Sequence, residues 1–273
     1  MRICILTVKN NIYANLLIKK ILGRFSGDTF VIIESTVLLS GRGRFGALWK
    51  YFEVSGARYV SSQVLKSIFY VIISFFLRLL RAKNHRFYSY KFLNFPNLGK
   101  ITTSSDINNP QFLEWLSRAV RPDLILSIYC NQILKERLIR EPALGAYNIH
   151  PSLLPSYRGV SPTFWVLARG EERTGITLHK VETKIDSGAI LGQRAVDILK
   201  EDTEHTLYTR CTKAAFDLAA NLIEQLKLNV VPAPIQPRIS QESYFSLPTK
   251  KAVKEFIKRS RKFWTFKELI SGK

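Results

Sequence analysis

The sequence predicts an α/β fold with a mostly parallel sheet, followed by a small C-terminal extension. Three apolar runs of strand length occupy residues 2–8, 30–33 and 124–128. Between the first two lies Asn15–Leu22 (NLLIKKIL), whose apolar residues follow a helical period and which ends near Gly23. A strand, a helix and a strand in this order predict a βαβ unit, in which the strands are parallel.

The composition of the 273 residues is that of a soluble globular protein, with 46% apolar and 23% charged residues. The cysteines, Cys4, Cys130 and Cys211, show no metal-ligand spacing, and no leader peptide precedes the first strand. Both features predict a cytoplasmic protein. The formal net charge of +20 predicts attraction to anions such as nucleic acid, anionic lipid or phosphorylated metabolites, besides its effect on solubility.

Residues 36–91 interrupt the α/β pattern and form a basic and apolar helical insertion, with ten Lys or Arg against one Glu. Within it, Val60–Leu80 is strongly apolar, and its core, Ile68–Leu80, has 13 residues. That core is shorter than the roughly 20 apolar residues that span a bilayer. Two interpretations stay open. The segment is a buried or homodimer-forming helix, or it lies in a membrane interface.

In the second interpretation the protein is peripheral at the inner face of the membrane. The basic residues that would then lie near the anionic headgroups are Lys66, Arg78, Arg81 and Lys83.

The α/β pattern resumes after the insertion. Pro110–Val120 predicts a helix with proline in its first turn. Residues 124–128 predict a strand buried on both faces, and Gly175–His179 a further strand. Thr206–Leu228 predicts a long helix that closes a main domain of residues 1–230.

Residues 231–273 predict a proline linker and a basic, aromatic extension that is too short to fold alone. The linker contains Pro232, Pro234 and Pro237. The aromatic residues of the extension either stack on nucleic acid or pack on the main domain and leave the charges in water.

Two motifs carry chemistry. In an extended Asn148-Ile149-His150, the amide and the imidazole face the same side, where they can polarise a carbonyl and stabilise an oxyanion. Asp186-Ser187-Gly188 follows a strand and a short loop, and a carboxylate near a histidine favours the charged ring and orients it. Taken alone, each motif is also compatible with a structural histidine or an ordinary turn.

Three segments, in order, are NIHPSLLPSYRG at 148–159, TGITLH at 174–179 and KIDSGAI at 184–190. Together they resemble the folate-dependent formyltransferase family, which includes the glycinamide ribonucleotide, methionyl-tRNA and amino-sugar formyltransferases. The resemblance implies a Rossmann-like formyltransferase domain that uses 10-formyltetrahydrofolate as formyl donor and needs no metal.

The resemblance also implies roles for individual residues. Asn148 and His150 match the catalytic Asn-x-His pair, and Asp186 matches the catalytic carboxylate. Thr177 and His179 match supporting strand positions. The cofactor-binding positions lie on two loops that would hold the pterin from opposite sides: Gln132, Ile133 and Leu134 on the first, and Val181, Thr183 and Ile185 on the second.

The implied mechanism is attack of a primary amine on the formyl carbonyl. Asn148 and a protonated His150 would donate hydrogen bonds to the developing oxyanion. Asp186 would favour the imidazolium and help to remove the amine proton.

We expect the acceptor to be a small, phosphate-bearing amine, preferably an amino sugar linked to a nucleotide or a lipid. An enzyme for glycinamide ribonucleotide should carry a glycine-rich turn after the first strand, where this chain has Thr7–Tyr13 without glycine. A methionyl-tRNA enzyme should carry a second basic domain, and the extension at residues 231–273 is too short to form one. A tRNA-linked amine stays an alternative, as does a non-catalytic relative that binds folate or nucleic acid.

Overall fold

The computed structural model describes residues 1–39, 41–85, 87–238 and 241–271, so parts of the predicted insertion and extension lie outside the described residues. The strands are β1 (Arg2–Val8), β2 (Thr29–Ser35), β3 (Leu98–Ser104), β4 (Leu124–Ile128), β5 (Ala146–His150), β6 (Arg158–Gly159), β7 (Arg173–Lys180), β8 (Ile190–Asp197) and β9 (Tyr244–Phe245). The helices are α1 (Ile12–Arg24), α2 (Arg44–Leu79), α3 (Pro110–Trp115), α4 (Glu136–Arg140), α5 (Pro162–Arg169), α6 (Glu204–Lys227), α7 (Lys250–Lys258) and α8 (Phe266–Ser271).

A seven-stranded sheet has the order β3-β2-β1-β4-β5-β7-β8. Its first five strands are parallel, and β7 and β8 join antiparallel at one side. Helices cover both faces, so the α/β prediction with a mostly parallel, Rossmann-like sheet is confirmed.

Strand β1 illustrates why the central strands are apolar throughout. Ile3 and Ile5 pack in the core that includes α1 and α6, whereas Cys4 and Leu6 pack in the core that includes α3. Because side chains alternate along a strand, a strand with helices on both sides has no solvent-facing position.

Helix α1 begins at Ile12, three residues before the predicted start. The reason is a cap: the Asn11 side chain accepts hydrogen bonds from the backbone N–H groups of Tyr13 (3.0 Å) and Ala14 (2.9 Å). The predicted helix at Pro110–Val120 is confirmed, with Asn109 as its cap and a wider π-helical turn over its last five residues.

Helix α2 is much longer than the predicted Val60–Leu80 helix. It begins at Arg44, contains 36 residues and is kinked at Gly56, whose φ of 80° favours glycine. The prediction that this segment is too short to span a bilayer is therefore wrong. By length and composition, Phe45–Leu79 is the one described helix long and apolar enough to cross a membrane.

The two faces of α2 differ, and the interpretation as a helix buried within the chain is wrong. Its inner face buries Tyr59, Lys66 and Tyr70, but most of its other large side chains are exposed. Lys66, predicted to lie near headgroups, is only 8% exposed and sits 5.6 Å from the centre of the Tyr13 ring. The charged side chain of Lys66 therefore lies on the inner face of α2 and not on the outer face.

The C-terminal extension packs on the sheet domain. Phe256 is fully buried and Phe263 nearly so, with ring centres 5.1 Å and 6.4 Å from that of Phe164. The lysines of α7 stay exposed. The prediction that the aromatic residues pack while the charges face water is confirmed for these residues, and a domain division at residue 230 stays a prediction.

Candidate active site

The Asn-x-His pair lies at the carboxyl end of β5, between parallel β4 and antiparallel β7. In the β5–β7 register Asn148 is opposite His179 and His150 is opposite Thr177. Alternation along β5 therefore turns both side chains of the pair toward one site.

The structure brings Asp186 to this pair, as the sequence predicted. Its carboxylate oxygens lie 3.5 Å from His150 Nδ1 and 3.4 Å from Asn148 Nδ2. These three residues are the candidate catalytic group.

Asp186 is held by contacts that sequence reasoning missed. The backbone N–H of Gly159 donates to its carboxylate (2.9 Å), and the Arg158 guanidinium donates to the Ile185 carbonyl (3.1 and 2.8 Å). Gly159 has a φ of 96°, so its N–H can point at the carboxylate. The signal that could have found these residues is Arg-Gly at the end of the motif loop.

His150 is nearly buried, and its Nε2–H donates to the Tyr157 carbonyl (2.9 Å). This bond leaves Nδ1 facing Asp186. Burial lowers the pKa of His150 below its usual value, although the Asp186 carboxylate raises it. The sequence predicted a protonated ring, but the lowered pKa favours a neutral one. In this site the lowering of the pKa by loss of hydration outweighs its raising by the carboxylate charge.

Asp186 shows the opposite balance. Burial raises its pKa, but His150, His179 and the Gly159 N–H together hold the pKa well below its usual range. The site therefore pairs an ionised carboxylate with a neutral imidazole near pH 7, an arrangement that can accept one proton.

His179 supports Asn148. Its Nδ1–H donates to the Lys180 carbonyl (2.8 Å), which leaves Nε2 to accept from Asn148 Nδ2 (3.0 Å). One amide N–H of Asn148 is fixed in this way, and the orientation of its side chain follows.

Thr177 supports the loop after His150. Its buried hydroxyl donates to the Ser152 carbonyl (2.7 Å) and accepts from the Leu154 N–H (3.1 Å) and Gln193 Nε2 (3.0 Å). We expect Thr177→Val to lower the free energy of unfolding by about 1–3 kcal/mol, because it leaves buried partners unsatisfied. Urea unfolding measures this, and an unchanged midpoint would argue against the role.

The pKa of His150 gives a second prediction. We expect its C–H resonances to titrate with a midpoint below 6.5, and Asp186→Asn to lower the midpoint further, because the raising charge is lost. NMR titration measures both, with His150→Gln to assign the signal. A reaction in which the neutral ring accepts a proton should lose activity as pH falls through this pKa. A midpoint above 6.5 would show that burial does not dominate the pKa of His150.

Gly188 explains the glycine of the Asp-Ser-Gly motif. A Cβ atom at this position would lie 1.9 Å from the Lys180 carbonyl oxygen. We expect Gly188→Ala to push the loop that carries Asp186 away from β7 and to cost about 1–3 kcal/mol in stability. Thermal unfolding and turnover measure the two effects. Gly27→Ala, where nothing lies within 4 Å, is the control that should change neither.

The six predicted cofactor-binding residues differ in what their side chains do. Gln132 bonds Ser35 (2.8 Å) and the Ile107 N–H (3.1 Å), and Leu134 is buried in the core, so these two side chains hold their loop. Ile133 is 51% exposed and Thr183 is also exposed, whereas Val181 and Ile185 are partly buried. Contact with a pterin stays a prediction for all six.

Within the described residues, no group of three or more His, Cys, Asp or Glu has a geometry that could hold a metal ion. The expectation that no metal is needed stays a prediction.

Comparison with known proteins places this site in context. Residues 100–223 match the family model described as formyl transferase. The chain is 40% identical, over 126 residues, to the bifunctional polymyxin resistance protein ArnA of Wigglesworthia glossinidia brevipalpis. That match covers 46% of this chain and 19% of the relative, so the chain spans about a fifth of the relative's length.

Two solved structures have a similar fold. A sugar N-formyltransferase from a Shewanella species has a TM-score of 0.55 and 19% identity, with 90% of this chain and 77% of that chain covered. The phosphoribosylglycinamide formyltransferase of Anaplasma phagocytophilum has a TM-score of 0.56 and 18% identity, with 90% and 97% covered. At these identities the likeness concerns the fold.

Proposed function

We propose that this chain, a member of the formyl transferase family through residues 100–223, transfers a formyl group from 10-formyltetrahydrofolate to a primary amine. The preferred acceptor is an amino sugar linked to a nucleotide or a lipid. The observation that carries the proposal is the arrangement of Asp186 beside both Asn148 and His150 at the end of β5.

In the proposed reaction the amine nitrogen attacks the formyl carbon, which places negative charge on the formyl oxygen. Asn148 donates an amide N–H to that oxygen. Neutral His150 accepts the proton that the amine loses, and Asp186 stabilises the resulting imidazolium. His150 then returns this proton to the folate nitrogen as its bond to the formyl carbon breaks. The protein ends the cycle unchanged.

The chain's own residues also bear on the acceptor. A phosphate bound at the start of α1 would need free backbone N–H groups. The Asn11 side chain already accepts from those of Tyr13 and Ala14. This cap, together with the absence of glycine from the turn, disfavours glycinamide ribonucleotide as the acceptor.

A tRNA-linked amine is the second candidate, and the positive charge of the extension favours it. Base stacking on that extension would need exposed aromatic rings. Phe256 and Phe263 are buried, and Trp264 donates to the Ser62 carbonyl (2.9 Å), whereas Phe266 is exposed. We therefore prefer the amino sugar.

A panel assay tests the acceptor. Nucleotide-linked 4-amino sugars, glycinamide ribonucleotide and methionyl-tRNA are offered with 10-formyltetrahydrofolate, and formamide products are identified by mass spectrometry. The proposal expects formylation of an amino sugar with the highest kcat/KM. Preference for either other acceptor would replace the sugar assignment and leave formyl transfer intact. No product from any amine would favour a non-catalytic binding protein.

A further inference from the structure

The part of α2 after its kink at Gly56 presents large apolar side chains to solvent. Eight of them, each 41–68% exposed, form what we call the outer face: Val64, Leu65, Ile68, Val71, Ile72, Phe75, Phe76 and Leu79. The outer face runs for about 22 Å along the helix at 1.5 Å per residue. Apolar surfaces of this extent on soluble proteins mark sites of interaction.

The outer face contains no charge. From Tyr59 to Leu77 the only charged residue is Lys66, which points to the inner face and is buried. A partner for this surface must therefore be apolar where it meets the middle of the helix.

Basic residues border the outer face at both ends. Arg58 lies between one and two helical turns before Val64, and Arg78, Arg81 and Lys83 lie at the end of the outer face, all of them exposed. The formal net charge of the chain is +20. An uncharged middle with positive ends is complementary to a bilayer interface that has anionic headgroups.

Neighbouring segments also expose apolar side chains. In α8, Phe266 and Ile270 are 53% and 55% exposed, and the Phe266 ring centre lies 5.2 Å from that of Phe69 on α2. Before the kink, exposed aromatic residues recur at helical spacing as Phe45, Trp49 and Phe52. Tryptophan and phenylalanine on an apolar face are typical of interfacial helices.

The inner face indicates how the helix would meet a bilayer. Gln63 donates to Glu204 (3.0 Å), and Trp264 donates to the Ser62 carbonyl (2.9 Å). A helix crossing the hydrocarbon layer would have to break these contacts and expose Lys66 to lipid, at high cost. A helix lying along the interface keeps them.

We propose that the outer face of α2 docks the protein on an anionic lipid bilayer, with the helix parallel to the membrane plane. The proposal is independent of the proposed function. On the inner face, the Tyr59 hydroxyl lies 3.5 Å from the Ser161 hydroxyl, two residues after the Gly159 that holds Asp186, so α2 contacts the loop of the candidate active site through the face that points away from the bilayer.

Vesicle sedimentation tests the docking. The full chain is mixed with vesicles of phosphatidylcholine alone, or with phosphatidylglycerol added, at low and high salt. We expect binding to the anionic vesicles and release at high salt. Ile68→Ser with Phe75→Ser should weaken binding on the order of tenfold or more, because the inserted apolar area is lost. Arg78→Glu with Arg81→Glu should weaken it about as much.

Matched controls distinguish the loss of the outer face from a general loss of exposed charge or apolar surface. Leu228→Ser with Val231→Ser removes side chains that are 75% and 71% exposed elsewhere. Arg118→Glu with Arg121→Glu reverses two exposed charges near α3. Each control should bind vesicles as the wild type does, and circular dichroism checks that all variants fold. Equal loss in outer-face variants and controls would overturn the proposal.

Other occupants give different results. If a second copy covers the outer face, the protein will sediment as a dimer without lipid, and Ile68→Ser with Phe75→Ser will make it a monomer. If α2 crosses the bilayer, protein inserted in vesicles will resist both high salt and alkaline carbonate. Either result would overturn interfacial docking. Quenching of Trp49 fluorescence by brominated lipid, lost in Trp49→Phe, would support it.

Discussion

Replacing Asp186 with asparagine is expected to reduce turnover by about 10²–10⁴-fold, the range for loss of general acid–base catalysis. The substitution keeps the shape of the side chain but removes the charge that stabilises protonated His150. One of its two terminal atoms can still accept from the Gly159 N–H. We therefore expect a folded protein with little activity, measured as steady-state formyl transfer beside thermal unfolding.

Asp197→Asn is the matched control for this variant. Asp197 is a well-exposed carboxylate that pairs with Arg173 at the surface (2.9 Å), and exposed ion pairs contribute little. It should keep nearly full activity and stability. Near-wild-type turnover of Asp186→Asn would refute the role assigned to the carboxylate.

His150→Gln is expected to lose a comparable 10²–10⁴-fold, again on the order of one general acid–base group. The glutamine amide can still donate to the Tyr157 carbonyl, but it cannot accept the amine proton. Steady-state turnover measures the loss, and His85→Gln, a change in a histidine outside the candidate site, should leave turnover unchanged.

The double variant His150→Gln with Asp186→Asn tests whether the two residues act as a unit. Because Asp186 is proposed to act by stabilising protonated His150, the double variant should lose little more than the more damaging single change. Losses that multiply would show that the residues act independently and would contradict the proposed proton transfer.

The central strands could be predicted from sequence because burial on both faces makes them apolar throughout. Residues 124–128 are such a case. Strands β3 and β8 lie at the two edges of the sheet and were missed. Their sequences, LGKITTS and ILGQRAVD, mix polar and apolar residues, because an edge strand is partly open to water.

The extent of α2 escaped prediction because its glycines indicate a loop. Gly46 is tolerated in the first turn of the helix, and Gly56 forms the kink at which the helix continues in a new direction. The hydrogen bond from Trp264 to the Ser62 carbonyl, which holds the inner face of α2, joins residues 202 positions apart. A local pattern carries no information about such a contact.

The residues of the candidate site could be predicted from sequence, but their distances and hydrogen-bond partners could not. Side-chain alternation placed Asn148 and His150 together, and the resemblance added Asp186. The lowered pKa of His150 was missed, because the motif shows which residues share a side of the strand but not how deeply their side chains are buried. The Arg-Gly pair at the end of the motif loop marks Gly159, but the sequence does not show that its backbone N–H donates to Asp186.

Amine-dependent release of tetrahydrofolate from 10-formyltetrahydrofolate is the most direct test of formyl transfer at Asn148, His150 and Asp186. It is measured with wild-type protein and Asp186→Asn side by side, on a nucleotide-linked amino sugar and on the other acceptors. We expect release that requires an amine, matches formamide formation and falls by orders of magnitude in Asp186→Asn. Failure of the wild type to release tetrahydrofolate with any acceptor, or equal release by both proteins, would contradict it.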